Sequence, residues 1–270
     1  MAAGTHSCDA TSAASSLGQQ SWQAFVITTD PTSPRARRSA EILNASGIDV
    51  VLTRAVKPAS NAFVDKVKSH TRTSRDVFES ISSMHAPADE YVLVFEDDIL
   101  LTPAVQPQHV RSYLACAARL SLQHGLPLFY TGGCSPKFAL NQTFWGAAYI
   151  PAAHKANELA AVRMTCRCAH AYAVRRGDAK VFYRLADEQP DRTNSGVTKI
   201  AKNGFYMDVQ LDALSRERKG VFLLGANLPS PQDPRDRGLW LQDRRTFRSG
   251  IGRPRLDDSG FTEPLNARLL

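Results

Sequence analysis

Five consecutive apolar residues, Tyr91-Val92-Leu93-Val94-Phe95, run straight into three carboxylates, Glu96-Asp97-Asp98. The apolar run does not alternate, so it reads as a strand buried on both faces, which requires a covering layer above and below the sheet. Three like charges at its end raise one another's pKa and favour neutralisation unless a cation compensates. A fold for this chain must therefore hold a central strand whose carboxyl end opens onto a charged rim.

The flanking patterns supply the covering layers. Residues 24–28 form a second apolar run ending in Thr29-Asp30-Pro31, the pattern of a buried strand feeding a loop. Residues 34–46 carry Ala36, Ala40, Ile42 and Leu43 among polar residues, which predicts an amphipathic helix closed by Gly47. Residues 48–52 predict a strand, 61–84 a helical region, 109–124 a helix, and 126–130 a strand ended by Gly132-Gly133. Past an irregular stretch with Trp145, residues 169–174 predict a strand, 177–185 a helix and 221–224 a last short strand. This alternation predicts an α/β fold with a mainly parallel central sheet flanked by helices. Ligands of such sheets sit beyond the carboxyl ends of the strands, which puts Asp30 and the acidic triplet on one rim.

Three regions follow. Residues 1–21 lack periodicity and large apolar side chains and read as a flexible leader; 22–228 form the folded domain; 229–270, rich in Pro, Arg, Asp and Gly, read as a loop-rich basic tail. A formal charge of +7 favours anionic partners such as nucleotide phosphates, nucleic acid or acidic lipid headgroups, and sign alone does not choose among them. Arg163, Arg167, Arg175, Arg176, Lys180 and Arg184 face only Asp178, and a solvated basic face explains them equally well. No nucleic acid partner is expected.

Five cysteines, at 8, 116, 134, 166 and 168, form an odd set without scaffold spacing, so reduced thiols are expected. No run approaches the ~18 apolar residues of a membrane span and no secretory pattern opens the chain, so a cytoplasmic enzyme is expected, with peripheral membrane contact left open. Asn44-Ala45-Ser46 and Asn141-Gln142-Thr143 match the glycosylation sequon but carry little weight without a secretion signal.

For the triplet, a divalent cation is the natural compensation. Mn²⁺ or Mg²⁺ prefers oxygen ligands, needs only one or two carboxylates for anchoring, and bridges to phosphate oxygens. Neighbours on an extended segment alternate, so Glu96 and Asp98 are expected on one side and Asp97 on the other. The competing reading is a solvated acidic turn. Cys166-x-Cys168-x-His170 offers three soft ligands, but structural zinc needs a fourth, and buried thiols beside a strand histidine fit the same residues. Tyr130, Phe144, Trp145 and Tyr149 supply either a sugar-stacking platform or core aromatics.

Val94-Phe95-Glu96-Asp97-Asp98-Ile99-Leu100-Leu101 resembles the Glu-Asp-Asp signature of glycosyltransferase family 25, the lipooligosaccharide and procollagen galactosyltransferases. The opening is similar too: Val26-Ile27-Thr28-Thr29-Asp30, then Arg35, Arg37 and Arg38, Gly47-Ile48 and Arg54-Ala55-Val56 resemble the family's first strand, arginine-bearing helix and Ala-Val step. Downstream, Ala169-His170-Ala171-Tyr172-Ala173-Val174 with Gly177-Asp178-Ala179, and Tyr206-Met207-Asp208, resemble its Ala-Tyr strand and Val-Asp site. Ser69-His70 lies further from the triplet than the family's Ser-His pair, and no histidine follows His170.

The resemblance implies a GT-A-like nucleotide-sugar-binding fold, with Mn²⁺ or Mg²⁺ as cofactor and a UDP-sugar as donor. It implies Asp98 as direct metal ligand, Glu96 on the nucleotide ribose or the metal's waters, and Thr28 at the nucleotide. Arg35 and Arg38 become candidates for the donor phosphates, against plain helix-surface charge. Asp208 becomes the acceptor-side base, since inverting transfer needs a carboxylate to take the hydroxyl proton; the competing reading is a helix N-cap. The expected activity is metal-dependent transfer of a hexose, galactose or glucose, to a hydroxyl of a glycan, glycolipid or protein. The rivals are a metal-dependent nuclease or nucleotidyltransferase and a catalytically silent binding protein.

Overall fold

A computed structural model describes residues 5–9, 21–61, 63–134, 158–165, 170–187, 207–218, 220–232, 236–243, 254–256 and 262–264. The chain opens with β1 (Thr5–Asp9) and β2 (Trp22–Thr28), then α1 (Pro34–Ala45), β3 (Ile48–Arg54) and α2 (Phe63–Ser83). β4 (Tyr91–Glu96) and the short β5 (Ile99–Leu101) flank the acidic triplet, and α3 (Val110–Gln123) and β6 (Leu128–Cys134) follow. Next come β7 (Glu158–Met164), β8 (Ala171–Arg175), α4 (Ala179–Asp187), α5 (Met207–Glu217) and β9 (Val221–Leu224). The last stretch holds β10 (Asp236–Gly238), β11 (Trp240–Gln242) and a separate pair, β12 (Pro254–Leu256) with β13 (Thr262–Pro264).

Local signals account for the first half. Ser33 Oγ caps α1 by accepting from the Ala36 amide, and Pro34 takes a first-turn position where no donor is needed. Gly47, at φ +72°, ends the helix in a left-handed turn. The first five residues of β4 are all buried, as a non-alternating run requires.

Among the described residues one large sheet runs β1-β7-β9-β6-β8-β4-β2-β3, with β10 beside β6. β2 pairs in parallel with both β3 and β4, as the βαβ reading requires, and β6 is parallel to β9. β8, however, runs antiparallel to β4 and to β6, and the β1–β7, β7–β9 and β6–β10 ladders are antiparallel as well. The mainly parallel sheet is thus corrected to a mixed one. An apolar run reports burial and not direction, so β8 looks the same in sequence whichever way it enters the sheet.

The leader expected over residues 1–21 is corrected at Thr5–Asp9, which pairs along β7 at the sheet's edge. Cys8 on this strand is disulfide-bonded to Cys116 on α3, so the expected reduced thiols are corrected for these two. Cys134 lies on β6, while Cys166 and Cys168 fall outside the described residues, as do Phe144, Trp145, Tyr149 and the sequon at Asn141.

β6 was expected to stop at Gly132-Gly133 but runs through it. A Cβ at Gly132 would stand 2.0 Å from the Trp240 carbonyl oxygen and 2.7 Å from His170 Nε2, so glycine here admits a close neighbour and does not make a turn. That neighbour belongs to the tail. β11 pairs with β5, Leu239, Trp240 and Leu241 are buried, and Thr102 Oγ1 donates to the Gly238 carbonyl at 2.6 Å. The first part of the expected loop-rich tail is therefore core. Among the described residues no helix is long and apolar enough to cross a membrane.

Candidate functional site

Parallel pairing of β2 with β4 puts Ile27 opposite Glu96, so Thr28 arrives beside the triplet. Its hydroxyl donates to Asp97 Oδ2 at 2.5 Å, and Ser39 Oγ on α1 donates to the Asp97 carbonyl at 2.8 Å. Arg35, from the first turn of α1, sets Nε 2.6 Å from Asp97 Oδ1 and Nη2 3.3 Å from Asp98 Oδ2. The expected alternation, with Asp97 facing away from Asp98, is corrected. β4 ends at Glu96 and Asp97 occupies a bend, so the two aspartates share one guanidinium.

The tail closes the other side. The β5–β11 register pairs Ile99 with Gln242, and one step on the Asp243 amide donates to the Asp98 carbonyl at 2.6 Å. Gln242 Nε2 donates to Glu96 Oε2 at 3.2 Å, and Asp243 Oδ2 lies 3.3 Å from Arg38 Nη1. Beneath them, Asp236 Oδ2 accepts from the Gln242 amide at 3.0 Å while its Oδ1 sits 3.5 Å from Nε2 of the buried His170. His170 returns to the rim through its carbonyl, which accepts from the Glu96 amide at 3.0 Å.

His70, on α2, brings Nε2 to 3.7 Å from Glu96 Oε1. Sequence reasoning set it aside for its distance along the chain, yet the helix carries it back over the strand end. Gln242, Asp243 and Asp236 were missed altogether. No local pattern marks them, because their place depends on antiparallel pairing with a strand about 140 residues earlier, a contact local periodicity cannot register.

The electrostatics single out Asp98. Burial first, then the neighbouring Glu96 charge, pushes its carboxyl up to about 7 against the pull of Arg35. Its Oδ1 is buried and has no hydrogen-bond partner among the described residues. For Glu96 burial also pushes upward, but hydrogen bonding to His70 and the charges of His70, His170 and Arg35 outweigh it and hold the group below its usual range. An orphaned, buried, acid oxygen beside an ionised carboxylate fits a hard divalent cation. Among the described residues no three His, Cys, Asp or Glu side chains form a ready-made cage. The fit is to a cation anchored by one or two carboxylates and completed by water and phosphate oxygens, the habit of Mg²⁺-like ions.

A pH dependence follows from Asp98. A carboxyl raised in the folded state favours folding while protonated, so this contribution is present below the unfolded value and lost as pH rises towards about 7. Cation-free protein is expected to lose stability between roughly pH 4 and pH 7 through this group. Urea denaturation in EDTA at both ends of that window checks it: Asp98→Asn should flatten the difference, and an unchanged difference would contradict the assignment.

Of the residues expected at a nucleotide site, Thr28, Arg35, Glu96 and Asp98 converge on this rim and Arg38 joins it through Asp243. Arg35 and Arg38 meet carboxylates, Arg38 from a side chain that is 43% exposed. Asp208 is the second residue of α5; the expectation about its carboxylate lies outside the described residues.

No protein-family model matches the chain, and no curated protein matches it. Among solved structures it is similar to a glycosyltransferase involved in the glycosylation of the major capsid of PBCV-1. That similarity covers 68% of this chain and 75% of the other, with 12% sequence identity and a TM-score of 0.36, a likeness too loose to carry any argument about activity.

Proposed function

We propose that this protein is a metal-dependent glycosyltransferase that moves a hexose, galactose or glucose, from a UDP-sugar to an acceptor hydroxyl with inversion. The observation that carries the reading is the buried, unpartnered Asp98 oxygen at the carboxyl end of β4, beside Glu96 and within the span of Arg35. The resemblance of residues 94–101 to a Glu-Asp-Asp signature supports it from the sequence side.

Asp98 would hold Mn²⁺ or Mg²⁺ directly and Glu96 through its waters. When bound, such an ion offsets the charge that grows on a departing diphosphate. The chain's own groups do the rest. Thr28, whose hydroxyl is held by Asp97, would meet the nucleotide, and Glu96, held between His70 and Gln242, would accept from ribose hydroxyls. Arg35 and Arg38 orient the phosphates once the carboxylates they now serve are otherwise neutralised. Asp208 takes the proton of the attacking hydroxyl as the new bond forms. The acceptor is a glycan, a glycolipid or a protein. The Cys8–Cys116 disulfide favours an oxidising compartment over the cytoplasmic setting that the thiol count suggests.

A panel of UDP-sugars incubated with the full chain tests the reading. With Mn²⁺ at least one donor should release UDP, and EDTA should stop it. Absence of release from every donor at saturating Mn²⁺ would overturn the proposal.

A further inference from the structure

We infer that Asp243 is a further residue of the cation site, facing Asp98 across the ends of β5 and β11, with Arg38 as the counter-ion it holds until a cation arrives. This rests on the cation reading of the rim proposed above. The register that pairs Ile99 with Gln242 places Asp243 opposite Asp98, and the 2.6 Å bond between their backbones fixes the pair. Directly opposed residues of an antiparallel pair hold their Cβ atoms about 4.5–5.5 Å apart on one face, where like charges are unfavourable.

Both are also out of water, with relative exposures of 3% for Asp98 and 1% for Asp243. Two buried, opposed carboxylates are costly unless matched by positive charge. α1 supplies it from one face, three residues apart: Arg35 reaches Asp98 and Arg38 reaches Asp243. The match is loose. Both contacts are 3.3 Å, longer than the ~2.7–2.9 Å of a strong charge-assisted bond, and Arg35 is drawn closer to Asp97, at 2.6 Å.

Asp97 and Asp98 thus share the Arg35 guanidinium while Arg38 meets Asp243, and among the described residues the buried Asp98 Oδ1 takes no hydrogen bond. Mobility is unequal as well. The Asp243 side chain is 2% exposed and fixed by its ladder, whereas that of Arg38 is 43% exposed and can swing away from the carboxylate. A compact divalent ion would satisfy the fixed carboxylates better than a long, half-solvated side chain, and would free Arg38 for an anion.

Mn²⁺ binding by the full chain without donor, followed by loss of the free-ion EPR signal, tests this apart from activity. Asp243→Asn should weaken Mn²⁺ affinity by about tenfold or more, close to the loss caused by Asp98→Asn. Arg38→Gln should tighten it severalfold, because the competing counter-ion is gone. If Asp243→Asn binds Mn²⁺ as the wild type does while Asp98→Asn does not, Asp243 is no part of the site and the cation reading stands. If the wild type binds no Mn²⁺, both fall. Should circular dichroism show that Asp243→Asn does not fold, Arg38→Gln decides: unchanged or weaker affinity overturns the inference.

Discussion

Asp98→Ala is expected to lower metal-dependent donor hydrolysis and transfer by about 10²- to 10³-fold, the loss typical when a preorganised charge at the reacting centre is removed. Of the three triplet carboxylates it is the one whose oxygen is both buried and, among the described residues, unpartnered. Asp97 is held by Thr28 and Arg35, and Glu96 by His70 and Gln242, so their structural roles compete with any role at a cation. The same variant should fold. Burial disfavours the Asp98 charge, so cation-free protein should lose nothing, and at neutral pH should gain stability, when that charge goes. Steady-state rates at saturating Mn²⁺, read beside the thermal midpoint in EDTA, check both halves; undiminished activity would remove the triplet from the mechanism.

Replacing Cys8 and Cys116 together with serine is expected to cost about 2–4 kcal/mol of stability. The bridge spans 108 residues of sequence, so its loss frees a long loop in the unfolded chain. The folded side is vulnerable too. β1 is an edge strand held by its ladder to β7 and by this bond to α3, and releasing it would bare the outer edge of β7. Urea denaturation of the double variant should show a lower midpoint, and dithiothreitol should shift the wild type towards it. Coincident midpoints for the two proteins would contradict the tie.

Half of this site was legible in the sequence because half of it is local. The apolar run of β4, the helix signals of α1 and the triplet each lie within a dozen residues, and parallel pairing of β2 with β4 brings Thr28, Arg35 and Asp98 together. The other half is made by pairings between distant strands. β11 reaches β5 from a segment whose Pro, Gly and charged residues read as loop, and its burial of Leu239, Trp240 and Leu241 is visible only once Gly132 is known to admit the Trp240 carbonyl. β1, with its polar residues, earns its place through one ladder and one disulfide, and neither leaves a periodic trace. Direction of strands was illegible for the same reason, as β8 shows.

The central claim is that the rim at the end of β4 binds a divalent cation and a diphosphate together. Calorimetric titration of UDP into the full chain, once with Mn²⁺ and once with EDTA, tests this most directly. Binding heat is expected only with Mn²⁺ and should vanish in Asp98→Ala. Equal binding in EDTA, or none under either condition, would contradict the account.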